Sequence, residues 1–235
     1  MKLYITVIII STLFSFGTCQ TSKKNPQPER KSDSIYTFAE RSSDGIGKYY
    51  LGREISFVMG PEGAKWLERN NRELEENTKL AIEKMKLSPA SVVADIGAGK
   101  GYYTFAIAGK IPNGKVYAVE IQEEMIKYLN KKKKETGINN GDIIKSIQQS
   151  ANLPENSVGL AIMVDVYHEL EFPHEMLQAI RRCLKSNGAI LLLEYRAEDA
   201  SIAIKPHHKM TAMQANKEKT ANGFKLVYDG EVLPI

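Results

Sequence analysis

The spacing of apolar residues changes several times along the chain, and each change predicts an element. Leu3 to Phe16 is an apolar stretch with Ser and Thr but no charge. From Pro61 to Leu87, the residues Trp66, Leu67, Leu74, Leu80, Ile82 and Met85 recur at helical spacing, which predicts a helix with one apolar face that opens at Pro61. Short β-branched runs then alternate with helical patterns. Strands are expected at Ser91 to Gly97, Lys115 to Glu120, Asp142 to Ile147, Val158 to Asp165, Gly188 to Tyr195 and Phe224 to Asp229. Helices are expected over "GYYTFAIAGKI", from Gln122 to Glu135, from about Pro173 to Lys185, and from a Thr211/Gln214 capping box to Gly223. Strands and helices alternating at this spacing imply an α/β fold, a doubly wound and mostly parallel sheet buried on both faces.

Four stretches follow: a leader at 1–19, a spacer at 20–34, an N-terminal helical or lid segment at 35–87, and the α/β domain at 88–235. In the leader, Lys2 precedes an apolar core too short to span a bilayer comfortably, which is the pattern of an export signal. Cleavage after Gly17 and lipidation of Cys19 are both compatible with "FSFGTC"; the second predicts an exported, periplasmic or membrane-anchored lipoprotein. The spacer "QTSKKNPQPERKSDS" has no large apolar side chain and two prolines, so it cannot build a core.

Composition narrows the function classes. Lys and Arg number 32 against 28 Asp and Glu, a mild excess spread over both halves, so no nucleic-acid footprint is visible. The run Lys131 to Lys134 closes a helix that opens with Glu123 and Glu124, an order that suits the helix dipole. Two cysteines are too few for a disulfide framework, and Cys183 reads as a buried thiol.

The chemistry concentrates in "VVADIGAGKGYYT". Asp95 ends a strand, and Gly97, Gly99 and Gly101 open the following helix. Ligands of parallel sheets sit at the carboxyl ends of the strands, where glycines admit close backbone approach. Glu120 ends the next strand, placed to reach a ribose bound across that turn. A dinucleotide turn wants glycine three residues after Gly99, where Tyr102 stands, and Asp95 would repel a pyrophosphate. A cationic nucleoside fits better, and a nicotinamide-dependent oxidoreductase is the weaker alternative.

"VADIGAGKGY" and "VYAVE" closely resemble the first and second motifs of the class I S-adenosylmethionine-dependent methyltransferases. The resemblance runs over about residues 88–230 and continues through "LPENSVGLAIMVDVYHELEFPHEMLQAIRRCLKSNGAILLLEY". It implies S-adenosyl-L-methionine as cofactor, held by Asp95, Gly97, Gly99, Gly101 and Glu120, with Gln149 at the adenine-binding position and Asp165 beside the methyl donor or acceptor. It implies methyl transfer to a small-molecule acceptor, with a non-catalytic nucleoside-binding module as the alternative. Few catalytic side chains are needed for an in-line displacement. His168 is the candidate general base. No metal is expected: "HELEF" lacks the second histidine of HExxH, and no cysteine joins the four histidines, all of which follow the fourth strand.

Two segments, Asp44 to Ile55 and Glu194 to Met210, are candidates to close over the site. The family's sheet order, 3-2-1-4-5-7-6, ends with an antiparallel strand. Nothing after Phe224 to Asp229 is long enough to supply it, which predicts a loosely held last strand and an exposed edge at Leu191 to Glu194.

Overall fold

The computed structural model describes residues 3–9 (backbone), 35–60, 63, 69, 72–231 and 233. The spacer, the processing site at Cys19, and Trp66 and Leu67 lie outside them. The core is a seven-stranded sheet. Its parallel part comprises β5 (Val92–Ile96), β6 (Lys115–Glu120), β7 (Gly141–Lys145), β8 (Val158–Val164) and β9 (Leu184–Tyr195) in the order β7-β6-β5-β8-β9. Alternate residues of each strand face opposite helix layers, as the pleat requires. Ala94, Ile96, Ala161, Met163, Ile190 and Leu192 pack with α5 (Pro173–Cys183) and α6 (Ala212–Ala221). Val93, Ile162, Leu191 and Leu193 pack with α2 (Thr78–Lys84) and α3 (Tyr102–Lys110). The helix between β6 and β7, α4 (Glu123–Thr136), carries the lysine run at its last turns.

The far edge departs from the sequence expectation. Among the described residues no strand follows β10 (Lys225–Glu231), but the place between β9 and β10 is filled from the other end of the chain by β1 (Leu3–Ile9). β1 runs antiparallel to both neighbours, with Leu3 opposite Tyr195 and Ile9 opposite Ala189 on one side, and Tyr4 opposite Glu231 on the other. The sequence LYITVII is rich in β-branched residues, which suits a strand as well as a leader core. The expected exposed edge is therefore absent: Leu191, Leu192, Leu193 and Glu194 are all buried. Among the described residues, no helix is long and apolar enough to cross a membrane.

The segment 35–87 also differs from its helical reading. Residues Tyr36–Phe38 (β2), Gly45–Tyr50 (β3) and Arg53–Ser56 (β4) form a separate antiparallel sheet. Among the described residues the helical pattern is realised as α1 (Arg72–Glu76) and α2, separated at Asn77, whose left-handed backbone ends one helix and whose side chain accepts from Leu80 N to open the next. Leu74, assigned to the apolar face, is 81 % exposed. The cap at Thr211 forms as expected, accepting from Gln214 N at 3.0 Å, while the Gln214 amide nitrogen turns to Leu51 O and Glu218.

The small sheet docks through buried charge. Arg53 grips Glu218 of α6 with two hydrogen bonds of 2.8 and 3.0 Å and donates a third to His168 O, while the Tyr167 hydroxyl donates to Glu218 at 2.6 Å. Lys219 beside them is fully buried, its Nζ 2.9 Å from the centre of the Tyr167 ring and without a hydrogen-bond acceptor. Burial drives its pKa from 10.5 down to about 7 against the pull of Glu218. Between those values the unfolded chain holds a proton that the folded chain has shed, so Lys219 makes stability rise with pH from 7 towards 10.5. Lys219→Met is expected to raise stability at pH 7 by about 1–3 kcal/mol, because an unpaired buried amine is replaced by an apolar chain of similar length. Urea titrations at pH 7 and 10 check both points: the variant should lose most of the pH slope, and an unchanged slope would place the titration elsewhere.

Candidate active site

The carboxyl ends of β5, β6 and β8 open into a cavity of about 270 Å³. Its floor is the turn after β5. Gly97 N and Ala98 N both donate to Val119 O, at 2.9 and 3.0 Å, which lays the turn across the end of β6. Gly97 has φ +71°, and a Cβ there would stand 2.4 Å from Val166 Cγ2, so only glycine fits. Gly99 N donates to Glu120 Oε2 at 2.8 Å, and Ile121 N and Gln122 N donate to Oε1 at 2.7 and 2.9 Å. Three backbone amides thus orient the Glu120 carboxylate at the cavity wall. Asp95 faces the same cavity, fixed by the Thr104 hydroxyl at 2.6 Å.

Of the residues named from sequence, Asp95, Gly97, Gly99, Glu120 and Asp165 line the cavity together. Three do not. Gly101 is the N-cap of α3, and a Cβ there would strike Phe105 at 2.5 Å and Leu129 at 2.7 Å; its smallness serves helix packing. Gln149 lies off the wall, which Ser146, Ile147 and Gln148 line instead. His168 is 1 % exposed and sits behind the wall, its Nδ1 2.7 Å from Glu194 Oε2 and its Nε2 3.1 Å from His208 Nδ1. His168 does not line the cavity, and both its ring nitrogens are engaged by other side chains, which argues against a general base.

The closing segments are corrected too. Neither Asp44 to Ile55 nor Glu194 to Met210 contributes to the cavity wall. The cover is Val58 and Met59, just after β4. Met59 N donates to Glu169 Oε1 at 3.0 Å and Met59 O accepts from Gln122 Nε2 at 3.2 Å, so the strip is tied to both sides of the opening. These backbone contacts leave no linear signature, which is why sequence reading missed Met59.

A family model for the methyltransferase domain matches residues 87–232. This chain belongs to that methyltransferase family. The fold is similar to that of an S-adenosylmethionine-dependent methyltransferase from Aquifex aeolicus, at 24% identity over 71% of this chain and 89% of that one, with a TM-score of 0.66. It is also similar to the YcgJ protein of Bacillus subtilis, at 21% identity over 62% and 66% of the two chains and a TM-score of 0.53. The [4+2]-cyclase SpnF shares the fold at 20% identity over 65% and 58%, with a TM-score of 0.58.

The cofactor of this methyltransferase is S-adenosylmethionine, and the residues present fit it. The glycine turn leaves room for close backbone approach, Glu120 offers carboxylate oxygens to ribose hydroxyls, and Asp95 places an acid where an ammonium or sulfonium would be welcome. Burial raises the Asp95 carboxyl to about 6, against the Thr104 hydrogen bond that lowers it. Below that pH the folded protein protonates Asp95 and loses the charge that attracts a cation. Cofactor affinity is therefore expected to fall roughly tenfold per pH unit below 6 and to level off above it. Calorimetric titrations from pH 5 to 8 measure this, and an affinity flat across that range would show that Asp95 does not face the cofactor's charge.

At the end of β8, Asp165 takes a left-handed backbone (φ 51°), and its Oδ1 is buried without a hydrogen-bond partner. Burial lifts its carboxyl to about 7, opposed by His168 and reinforced by Glu194. Asp165 thus stands on the cavity wall with a left-handed backbone and a buried oxygen that accepts no hydrogen bond.

Proposed function

We propose that this methyltransferase acts on a small molecule that enters under Val58 and Met59 and meets the Asp165 carboxylate. The observation that carries the proposal is the acid on the wall of this cavity: the strip at Met59 is pinned on both sides, and Asp165 Oδ1, buried on the wall, accepts no hydrogen bond. When bound, S-adenosylmethionine supplies an electrophilic methyl group for in-line displacement. The chain's own residues hold and align: Glu120 and the glycine turn fix the nucleoside end, and Asp95 faces the cationic end. Asp165 receives the proton that the acceptor gives up. His168, backed by Glu194, supports the segment that carries Asp165 and Glu169.

Incubating the full chain with methyl-labelled S-adenosylmethionine and pools of small-molecule acceptors tests the reading. Asp165→Asn is expected to lower turnover at least 100-fold while cofactor affinity stays within about threefold. Equal loss of both would assign Asp165 to cofactor binding instead. Absence of label transfer to any pool, with cofactor binding intact, would favour a nucleoside-binding module.

We also propose export with lipid attached at Cys19, a reading supported by the sequence of residues 1–19 alone. It stands in tension with β1, since a chain that starts at Cys19 lacks Leu3 to Ile9. Mass spectrometry of the membrane fraction distinguishes a lipidated mature chain from an intact Met1.

A further inference from the structure

Behind the cavity wall, two elements far apart in sequence bring two histidines and an acid to one point. The turn Tyr167–Glu169 follows β8, and the turn Pro206–His208 lies in the loop after β9. His168 Nε2 and His208 Nδ1 are 3.1 Å apart, and Glu169 Oε1 is 3.7 Å from the first and 3.6 Å from the second. A triangle with those sides has a centre about 2.0 Å from each corner, which matches Zn–N and Zn–O bond lengths of about 2.0–2.2 Å. The three atoms are thus spaced as ligands of a single small ion.

The surroundings support the same reading. His168 Nδ1 lies 2.7 Å from Glu194 Oε2, a carboxylate placed to accept a hydrogen bond from Nδ1–H and leave the Nε2 lone pair facing the other two atoms. His208 Nε2 lies 3.7 Å from Asp44 Oδ2 on the side away from the cluster. Asp165 Oδ1, 4.0 Å from His168 Nδ1, has no hydrogen-bond partner although it is buried. The carboxylates of Asp165, Glu169 and Glu194 therefore surround one imidazole, an excess of negative charge that a dication would neutralise.

We propose that His168, Glu169 and His208 form a binding site for a divalent transition-metal ion of the zinc type, with Glu194 holding His168 in its ligating tautomer. Two histidines and one carboxylate leave a fourth position for water or a substrate atom. Glu169 also lines the cavity, so the ion would stand in its wall. The expectation of no metal rested on the incomplete HExxH and the absence of a joining cysteine; here the second histidine comes 40 residues later, by way of β9. The proposal does not depend on methyl transfer.

Zinc titration of untagged, full-length, chelator-stripped protein against a chromophoric competitor tests it, with elemental analysis giving the stoichiometry. The wild type is expected to bind one equivalent, and Co²⁺ in its place should give the intense visible bands of four-coordination. His208→Ala, on a partly exposed loop, and Glu169→Gln should each weaken binding at least 100-fold. His207→Ala, whose imidazole contacts Ser42 and Glu54 instead, should bind within threefold of wild type. Circular dichroism of each variant verifies folding. Failure of the wild type to bind one equivalent, or equal affinity in wild type, His208→Ala and Glu169→Gln, would overturn the proposal.

Discussion

A chain lacking residues 1–18 is expected to lose about 3–5 kcal/mol of stability, a large share of what an ordinary domain has. β1 pairs seven residues with β9 and six with β10, and among the described residues β10 has no other strand beside it. Without β1, strands β9 and β10 stand about two strand spacings apart, too far for direct hydrogen bonds, and the freed edge of β9 becomes a template for association. Urea unfolding of the full chain and of residues 19–235 gives the difference directly. Hydrogen exchange localises it: the amides of Leu226 to Tyr228 should be protected in the full chain and open in the shortened one. Equal stability and protection would show that β1 contributes nothing to the folded domain. That outcome would remove the conflict with cleavage before Cys19.

Glu120→Ala is the second large effect. Loss of charge-assisted hydrogen bonds to a ribose weakens binding by about 1.5–3 kcal/mol. The structure adds a further loss, because Gly99 N, Ile121 N and Gln122 N all give up their acceptor. Affinity for S-adenosylmethionine should fall 100-fold or more, with a lower melting temperature even without cofactor. Glu120→Gln should fall between the two, since its amide nitrogen cannot accept from Gly99 or from the pair at Ile121 and Gln122. Calorimetry showing equal affinity for wild type and Glu120→Ala would remove Glu120 from the site.

Local pattern carried much of this molecule. β6 begins and ends where the β-branched run does, at Lys115 and Glu120, and α5 opens at Pro173 as expected. Asp95, Gly97, Gly99 and Glu120 were legible because strand ends and glycine turns are short-range features, and a parallel sheet must bring adjacent strand ends together. The alternation of strand and helix, with the motif "VADIGAGKGY", determined the α/β class and the cofactor end of the site.

Tertiary structure decided what depends on residues distant in the chain. Gly101 and Gly97 look alike in sequence, yet one packs a helix against Leu129 and the other lets the turn pass Val166. His168 reads as a base beside a strand end, but its imidazole lies off the cavity lining, with Glu194 and His208 against its ring nitrogens. The run Leu3 to Ile9 has the composition of both a leader core and a strand, and what makes it a strand here is a gap between β9 and β10 of the right width and direction. Periodicity encodes which face of an element is apolar; it does not encode which distant element that face, edge or imidazole will meet, because such pairing is settled only when the whole sheet closes its hydrogen bonds.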